Sequence, residues 1–200
     1  MAEQQAASQP NGGRDIIVIG GSAGGFEPLL QLVGDLPATL PAALFVVIHV
    51  APNHSGLLAP ILDRTGPLAA VEAEDGMPIQ RGTICVAPPD QHMVLYETHT
   101  ALNRGPRENR TRPAIDPLFR TAARAFGSRV VGVLLSGMLD DGALGMMVIK
   151  SYGGTTIVQA PAEARYSSMP WQLCNTRRLI TFSQLRGSPI ESYNSFTSHC

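Results

Sequence analysis

The sequence predicts an α/β domain with a mostly parallel sheet, and three observations carry that prediction. Short, apolar, β-branched runs alternate with stretches of helical periodicity, the pattern of strands joined by helical crossovers. The first run leads at once into a glycine-rich turn and an amphipathic segment, Asp15 to Phe26, DIIVIGGSAGGF. Finally, three polar side chains, Ser22, His49 and Asp141, fall near the ends of predicted strands, and open parallel sheets bind ligands at the carboxyl ends of their strands.

Taken in order, residues 1 to 13 are polar and rich in Gln, Ala and Gly, and are predicted to be a disordered tail. Residues 14 to 186 are read as one domain, and residues 187 to 200, Ser-rich and unpatterned, as a poorly ordered tail. Asp15 to Ile19 reads as a buried strand. Gly20, Gly21, Gly24 and Gly25 surround Ser22 in a tight turn. Glu27 to Leu36 is predicted helical, because Leu29, Leu32, Val33 and Leu36 recur at helical spacing. Ala43 to Val50 is a second buried strand with His49 near its end, and Leu57 to Arg64 a short helix ending near Gly66.

The middle of the chain holds short strand-like pieces at Leu68 to Ala73, Gly82 to Ala87, His92 to Glu97 and Thr100 to Asn103, separated by turn signals such as Asp75-Gly76. The last two are expected to form an antiparallel hairpin on the edge of the sheet. A polar loop follows, Arg104 to Pro113. Asp116-Pro117 then predicts a helix start, with Asp as N-cap and Pro at the first helical position, and the helix runs to about Phe126. Val130 to Ser136 is a strand, Ala143 to Tyr152 a helix stopped by Gly153-Gly154, and Thr155 to Gln159 a strand. Ser168 to Asn175 is predicted helical and Leu179 to Phe182 a last strand.

The totals exclude several classes. With 200 residues, 44% hydrophobic content and a net charge of −1, the chain suits a globular domain and not a nucleic-acid protein. No apolar run is long enough to span a membrane, and the N-terminus lacks a basic-then-apolar signal pattern. Cys85, Cys174 and Cys200 form no Cys-x-x-Cys pair, so neither a zinc ribbon nor a redox motif is indicated. These features predict a cytoplasmic protein with free thiols and no membrane insertion.

Gly20-x-Ser22-x-Gly24 matches the nucleophile-elbow pattern, in which glycines let the backbone pass close to an exposed serine. A phosphate cradle or a plain tight turn has the same composition, although neither G-x-G-x-x-G nor a P-loop Lys-Ser/Thr is present. A serine hydrolase needs an imidazole to take the hydroxyl proton and a carboxylate to orient that imidazole. Ser22, His49 and Asp141 supply those types. Each also has a structural reading: a strand-end histidine can be a buried hydrogen-bonding residue, and Asp141 can cap the following helix. Asp140 competes with Asp141 for either role, and His54 and His92 lie close enough in loops to compete with His49. The order Ser, His, Asp, with almost nothing before the first strand, departs from the ordinary α/β-hydrolase. Arg104, Arg107, Arg110 and Arg112 read as a solvated loop or as an attractor of acidic protein surface.

Six ordered segments carry a specific resemblance: IGGSAGG from Ile19, HVAP from His49, APPDQHM from Ala87, NRTRPAIDPLF from Asn109, LLSGMLDDGALGM from Leu134, and Met169-Pro170. Together they resemble the catalytic domain of the CheB family of chemotaxis protein-glutamate methylesterases, over about Asp15 to Phe182. The resemblance implies a three-layer, modified doubly wound sheet with an antiparallel pair. It implies hydrolysis of glutamate γ-methyl esters on receptor helices, with release of methanol, and deamidation of glutamine. The implied triad is Ser22, His49 and Asp141, with Ala23 and Met138 beside it, and the oxyanion donors are expected in the elbow and in the Gly137 to Leu139 turn. Arg110, Arg112 and His92 are further candidates for substrate contact. Neither a metal nor an organic cofactor is implied. The implied partners are a methylated receptor-type protein and a separate response-regulator or other signalling protein, since only some fourteen unpatterned residues precede the first strand. Ala23 stands where many members have Thr, Leu139 where they have Gly, and the chain departs from the family after Met169-Pro170. Leu139 and the altered C-terminus favour the alternative expectation, a non-catalytic or retargeted signalling interaction module with the same fold.

Overall fold

The computed structural model describes residues 13–49, 56–137, 140–160, 164–166 and 181–183. Seven strands make one parallel sheet: β1 (Ile16–Gly21), β2 (Ala43–Ile48), β3 (Ala69–Glu72), β4 (Thr83–Val86), then β7 (Val130–Leu134), β8 (Thr155–Gln159) and β9 (Thr181–Ser183), in the spatial order β3-β4-β2-β1-β7-β8-β9. The chain winds outward from β1 on one side and returns to add β7 on the other. The crevice beyond β1 and β7 is therefore a topological switch point, where such sheets bind ligands.

The central strands are apolar on both faces because both faces are covered. Ile16 and Val18 of β1, with Ala43, Phe45 and Val47 of β2, pack under α3 (Ile115–Phe126) and α4 (Ala143–Ser151). The alternate residues Ile19, Leu44, Val46 and Ile48 pack under α1 (Phe26–Gly34) and α2 (Leu58–Thr65). The result is a three-layer domain with two cores divided by the sheet, the period-two alternation assigning each residue to one of them. Fully buried side chains such as Phe45, Phe119 and Leu62 each contribute about 1.5–3 kcal/mol relative to exposure. At the opposite end from the crevice, buried Asp15 accepts hydrogen bonds from Arg81 and from Arg129, tying the start of β1 to the approaches to β4 and β7.

Three expectations need correction. β1 continues through Gly20 and Gly21 instead of ending at Ile19. The two glycines stay in the ladder, paired with Val47 and Ile48 of β2, and close packing requires a glycine at Gly20, where a Cβ would overlap Ile115. Second, the hairpin of β5 (His92–Leu95) and β6 (Thr100–Asn103) is a separate two-stranded sheet, not an edge of the main one. β3 already covers the outer side of β4, so the hairpin docks on α3 through buried Met93 and Leu95, and the Leu95 N–H donates to Thr121 Oγ1 at 3.0 Å.

Third, α3 begins at Ile115 with Ala114 as its N-cap, so Asp116 lies inside the first turn and does not cap it. Its cap comes from another part of the chain, described below. Pro117 falls in the first turn, where its missing N–H costs nothing. The last predicted strand is found as β9. The helix predicted at Ser168 to Asn175 and both predicted tails, apart from Gly13, lie outside the described residues.

Candidate active site

Ser22, His49 and Asp141 come together at the carboxyl edge of the sheet. Ser22 directly follows β1 and His49 directly follows β2, so the parallel register sets them side by side, and the His49 N–H donates to the Gly21 carbonyl at 3.0 Å. Ser22 is fixed from the β7 side by its own N–H, which donates to the Ser136 carbonyl at 2.9 Å. The turn closes with the Gly25 N–H on the Ser22 carbonyl at 2.9 Å. Within this turn the left-handed backbone falls on Gly24, φ +74°, where glycine carries no Cβ penalty, and not on Ser22. Buried Ser136 locks the turn from behind: its Oγ donates to the Ala23 carbonyl at 3.0 Å and accepts from the Tyr166 N–H at 3.0 Å.

The imidazole bridges the other two groups. His49 Nδ1 lies 3.2 Å from Ser22 Oγ, and Nε2 lies 2.9 Å from Asp141 Oδ2. With the ring proton on Nε2 donated to Asp141, Nδ1 presents a lone pair to the hydroxyl, the arrangement required of a general base.

Asp141 is 2% exposed and richly supplied with donors. The N–H groups of Ile115 and Asp116 donate to it at 2.7 and 3.1 Å, so its carboxylate caps α3 and faces the positive end of that helix. Asn109 Nδ2 donates a third bond at 2.8 Å. Burial pushes the Asp141 pKa up, but the bonds from His49, the Ile115 N–H and Asn109 outweigh it and hold it below the usual carboxylate range. Asp140, its sequence competitor, is exposed, and its carbonyl accepts from the Ala143 N–H. Neither aspartate side chain caps α4, whose N-cap is Gly142 at φ +90°.

Four contributors were not foreseen. Asn109, Thr111, Asp116 and Ser136 all serve the site. Thr111 Oγ1 lies 3.2 Å from His49 Nε2 and donates to the Glu108 carbonyl at 3.2 Å. Asp116 accepts from Asn109 Nδ2 at 3.0 Å and from the Gly145 N–H at 2.6 Å. Burial, and then the nearby Asp141 charge, raise the Asp116 pKa despite those bonds. The sequence did carry one signal for the first two, an Asn and a Thr inside a polar, Arg-rich loop, but only the fold reveals that this loop returns over the strand ends.

The remaining candidates separate. His92 is 3% exposed, its Nε2 paired with the Pro106 carbonyl at 2.9 Å and its Nδ1 accepting from the Ala114 N–H at 3.2 Å. It is therefore an anchor for the 104–114 loop and not a substrate contact, because both ring nitrogens are spent on backbone. Arg112 is held by Asp90, whose carboxyl its guanidinium keeps below the usual range, and by the Gly105 carbonyl at 2.8 Å. Arg110 lines the cleft beside His49. Gly137, expected to offer its N–H to an oxyanion, donates it to the Tyr166 carbonyl at 3.1 Å instead, while Met138, Leu139 and His54 lie outside the described residues. Ala23, next to the serine, has no acceptor for its N–H among the described residues. His99 stacks on Tyr96 away from the site. Cys85 is a buried free thiol whose pKa burial pushes up to about 12. Among the described residues no cluster of three or more His, Cys, Asp or Glu is placed to hold a metal, and no helix is long and apolar enough to cross a membrane.

Comparison with known proteins gives one answer. The sequence profile of CheB methylesterase matches residues 17–186. A protein-glutamate methylesterase/protein-glutamine glutaminase of Methanosarcina acetivorans is 38% identical over 168 residues, covering 80% of this chain and 47% of that protein. One from Rhodospirillum rubrum is 40% identical over 162 residues, covering 78% of this chain and 42% of that protein. The chain thus spans about half the length of the curated relatives it matches. The crystal structure of the Thermotoga maritima CheB methylesterase catalytic domain superposes with a TM-score of 0.85 at 31% identity, covering 90% of this chain and 98% of that one.

Proposed function

The chain belongs to the CheB methylesterase family, and from that premise we propose that it hydrolyses glutamate γ-methyl esters on a methylated receptor-type protein, releasing methanol. Deamidation of glutamine on the same protein is the second reaction of the site, since both substrates present a γ-carbonyl with a small leaving group. The observation that carries this reading is the unbroken relay from Ser22 Oγ through His49 Nδ1 and Nε2 to Asp141 Oδ2, at 3.2 and 2.9 Å.

In this reading Ser22 Oγ attacks the ester carbonyl while its proton passes to His49 Nδ1. Asp141 stabilises the imidazolium and keeps the Nε2 proton in place. The carbonyl oxygen, now an anion, is met by the Ala23 N–H, a kind of contact worth about 3 kcal/mol in the transition state. Collapse breaks the ester C–O bond, and His49 returns its proton to the departing methoxide. Water then enters, loses a proton to His49 and attacks the acyl-serine, releasing the glutamate carboxylate and restoring Ser22. Thr111 supports the His49 edge, and Asn109 supports Asp141.

The test is methanol release from a methylated receptor fragment. Ser22→Ala and His49→Ala are each expected to lose nearly all turnover. Triad members act as a unit, so the double variant should be scarcely worse than either single one. Wild-type rates in Ser22→Ala would remove the hydrolase reading.

A further inference from the structure

Beside His49 a cleft of about 420 Å³ opens, with an apolar floor of Ile48, Leu58, Ala59, Val86 and Ala87. Along its rim lies the turn Glu108 to Thr111. Its two central residues, Asn109 and Arg110, both adopt left-handed backbone, φ 49° and 68°, and its ends close through the Thr111 N–H on the Glu108 carbonyl at 2.9 Å. This is the two-residue turn that strongly favours glycine at its second central position. A side chain there costs free energy, and strain of this kind gathers at functional sites.

Three of the four turn residues use their side chains to fasten the turn. Glu108 pairs with Arg120 of α3 at 2.8 Å, Asn109 bonds Asp116 and Asp141, and Thr111 reaches the Glu108 carbonyl. Arg110 fastens nothing. Its exposed side chain lines the cleft and, among the described residues, has no hydrogen-bond or ion-pair partner. Arg107 lies in the same lining and, among the described residues, makes no hydrogen bond or salt bridge. The lining also holds two carboxylates, Asp90, which is paired with Arg112 and lies in the field of Arg107, and Glu72, so that three arginines face two carboxylates and Arg110 makes no salt bridge among the described residues.

We propose that this cleft seats the polypeptide flanking the target ester, and that Arg110, assisted by Arg107, reads a carboxylate on that segment. The inference rests on the esterase reading above and narrows its substrate class to acidic, amphipathic segments: apolar side chains against the floor, acidic ones toward the rim. Arg110 is then a specificity residue, because it touches the substrate away from the reacting atoms.

The probes are two synthetic peptides carrying one glutamyl γ-methyl ester, identical except that the flanking Glu residues of one are Gln in the other. The variant is Arg110→Gly, whose backbone suits the turn better than the native residue. At low salt we expect Arg110→Gly to raise KM for the Glu-flanked peptide about fivefold, the worth of an exposed ion pair, with kcat retained. The difference should disappear on the Gln-flanked peptide, shrink in 1 M salt, and be partly restored by Arg110→Lys. An unchanged KM, an equal rise on both peptides, or a fall in kcat alone overturns the subsite while methanol release by the wild type upholds the esterase. Absence of methanol release by the wild type on either peptide overturns both.

Discussion

Asp116 and Asp141 share one amide group: Asn109 Nδ2 lies 3.0 Å from a carboxylate oxygen of the first and 2.8 Å from one of the second. Each carboxylate also accepts backbone N–H groups from a helix start, Asp141 from α3 and Asp116 from α4. The two helices that cover one face of the sheet are thus joined at the acid of the relay. Charge is divided unevenly: Asp141, with His49 and the most donors, is held below the usual range, while Asp116 is raised.

Removing the shared amide should weaken the acid without touching substrate. Asn109→Ala is expected to lower kcat about tenfold, the loss of one bond to a charged group, with KM nearly unchanged. Stability provides a second readout. Asp141 has a depressed folded pKa, so its contribution is present above the ordinary carboxylate pKa and is lost as pH falls through the folded value. Without Asn109 the folded value rises, and acid unfolding should begin at a higher pH. An identical acid-unfolding midpoint, followed by circular dichroism, would refute the shared-amide account.

The two adjacent aspartates should differ in stability as well as in activity. Asp141→Ala leaves the Ile115 and Asp116 N–H groups without their acceptor, so it is expected to cost about 1–2 kcal/mol, as loss of a helix cap does, in addition to most of the turnover. Asp140→Ala should lie within about 0.5 kcal/mol of wild type and keep its activity. Urea melts and methanol-release assays on both variants check this, and equal destabilisation would contradict Asp141 as the cap of α3.

Asp15 offers a control at the far end of the sheet. Burial raises its pKa, but the bonds from Arg129 and Arg81 outweigh that and lower it. Its stabilisation is therefore complete above the ordinary carboxylate pKa and lost as pH falls through the depressed one. Asp15→Asn is expected to cost about 1 kcal/mol at pH 7, both arginines being partly exposed, and to converge with wild type in strong acid. Activity should not change. A stability difference that persisted undiminished at pH 2 would show that the carboxylate charge is not its source.

Patterns local in the chain were legible without coordinates. β-branched runs marked the parallel strands, helical spacing marked the helices, and Ser22, His49 and Asp141 stood out because strand ends are where such sheets work. Conformation and partners that depend on distant chain segments were not legible. Asp116 looked like a helix cap, since Asp before Pro is the local signature of one; it became an inward-facing group because Asp141, 25 residues later, arrives to accept its N–H and that of Ile115. His92 looked available until the fold supplied both ring nitrogens with backbone partners. Asn109 and Thr111 looked like solvated loop, Arg110 read either as solvated loop or as a substrate contact, and the fold carried that loop back over the end of β2. Short-range pattern and propensity placed most of the elements, while the choice of Ser22, His49 and Asp141 over Asp140, His54 and His92 came from the family resemblance. Tertiary structure decided which buried polar atoms had to be satisfied by which distant partner, and so left Arg110 as the turn residue free to face the cleft.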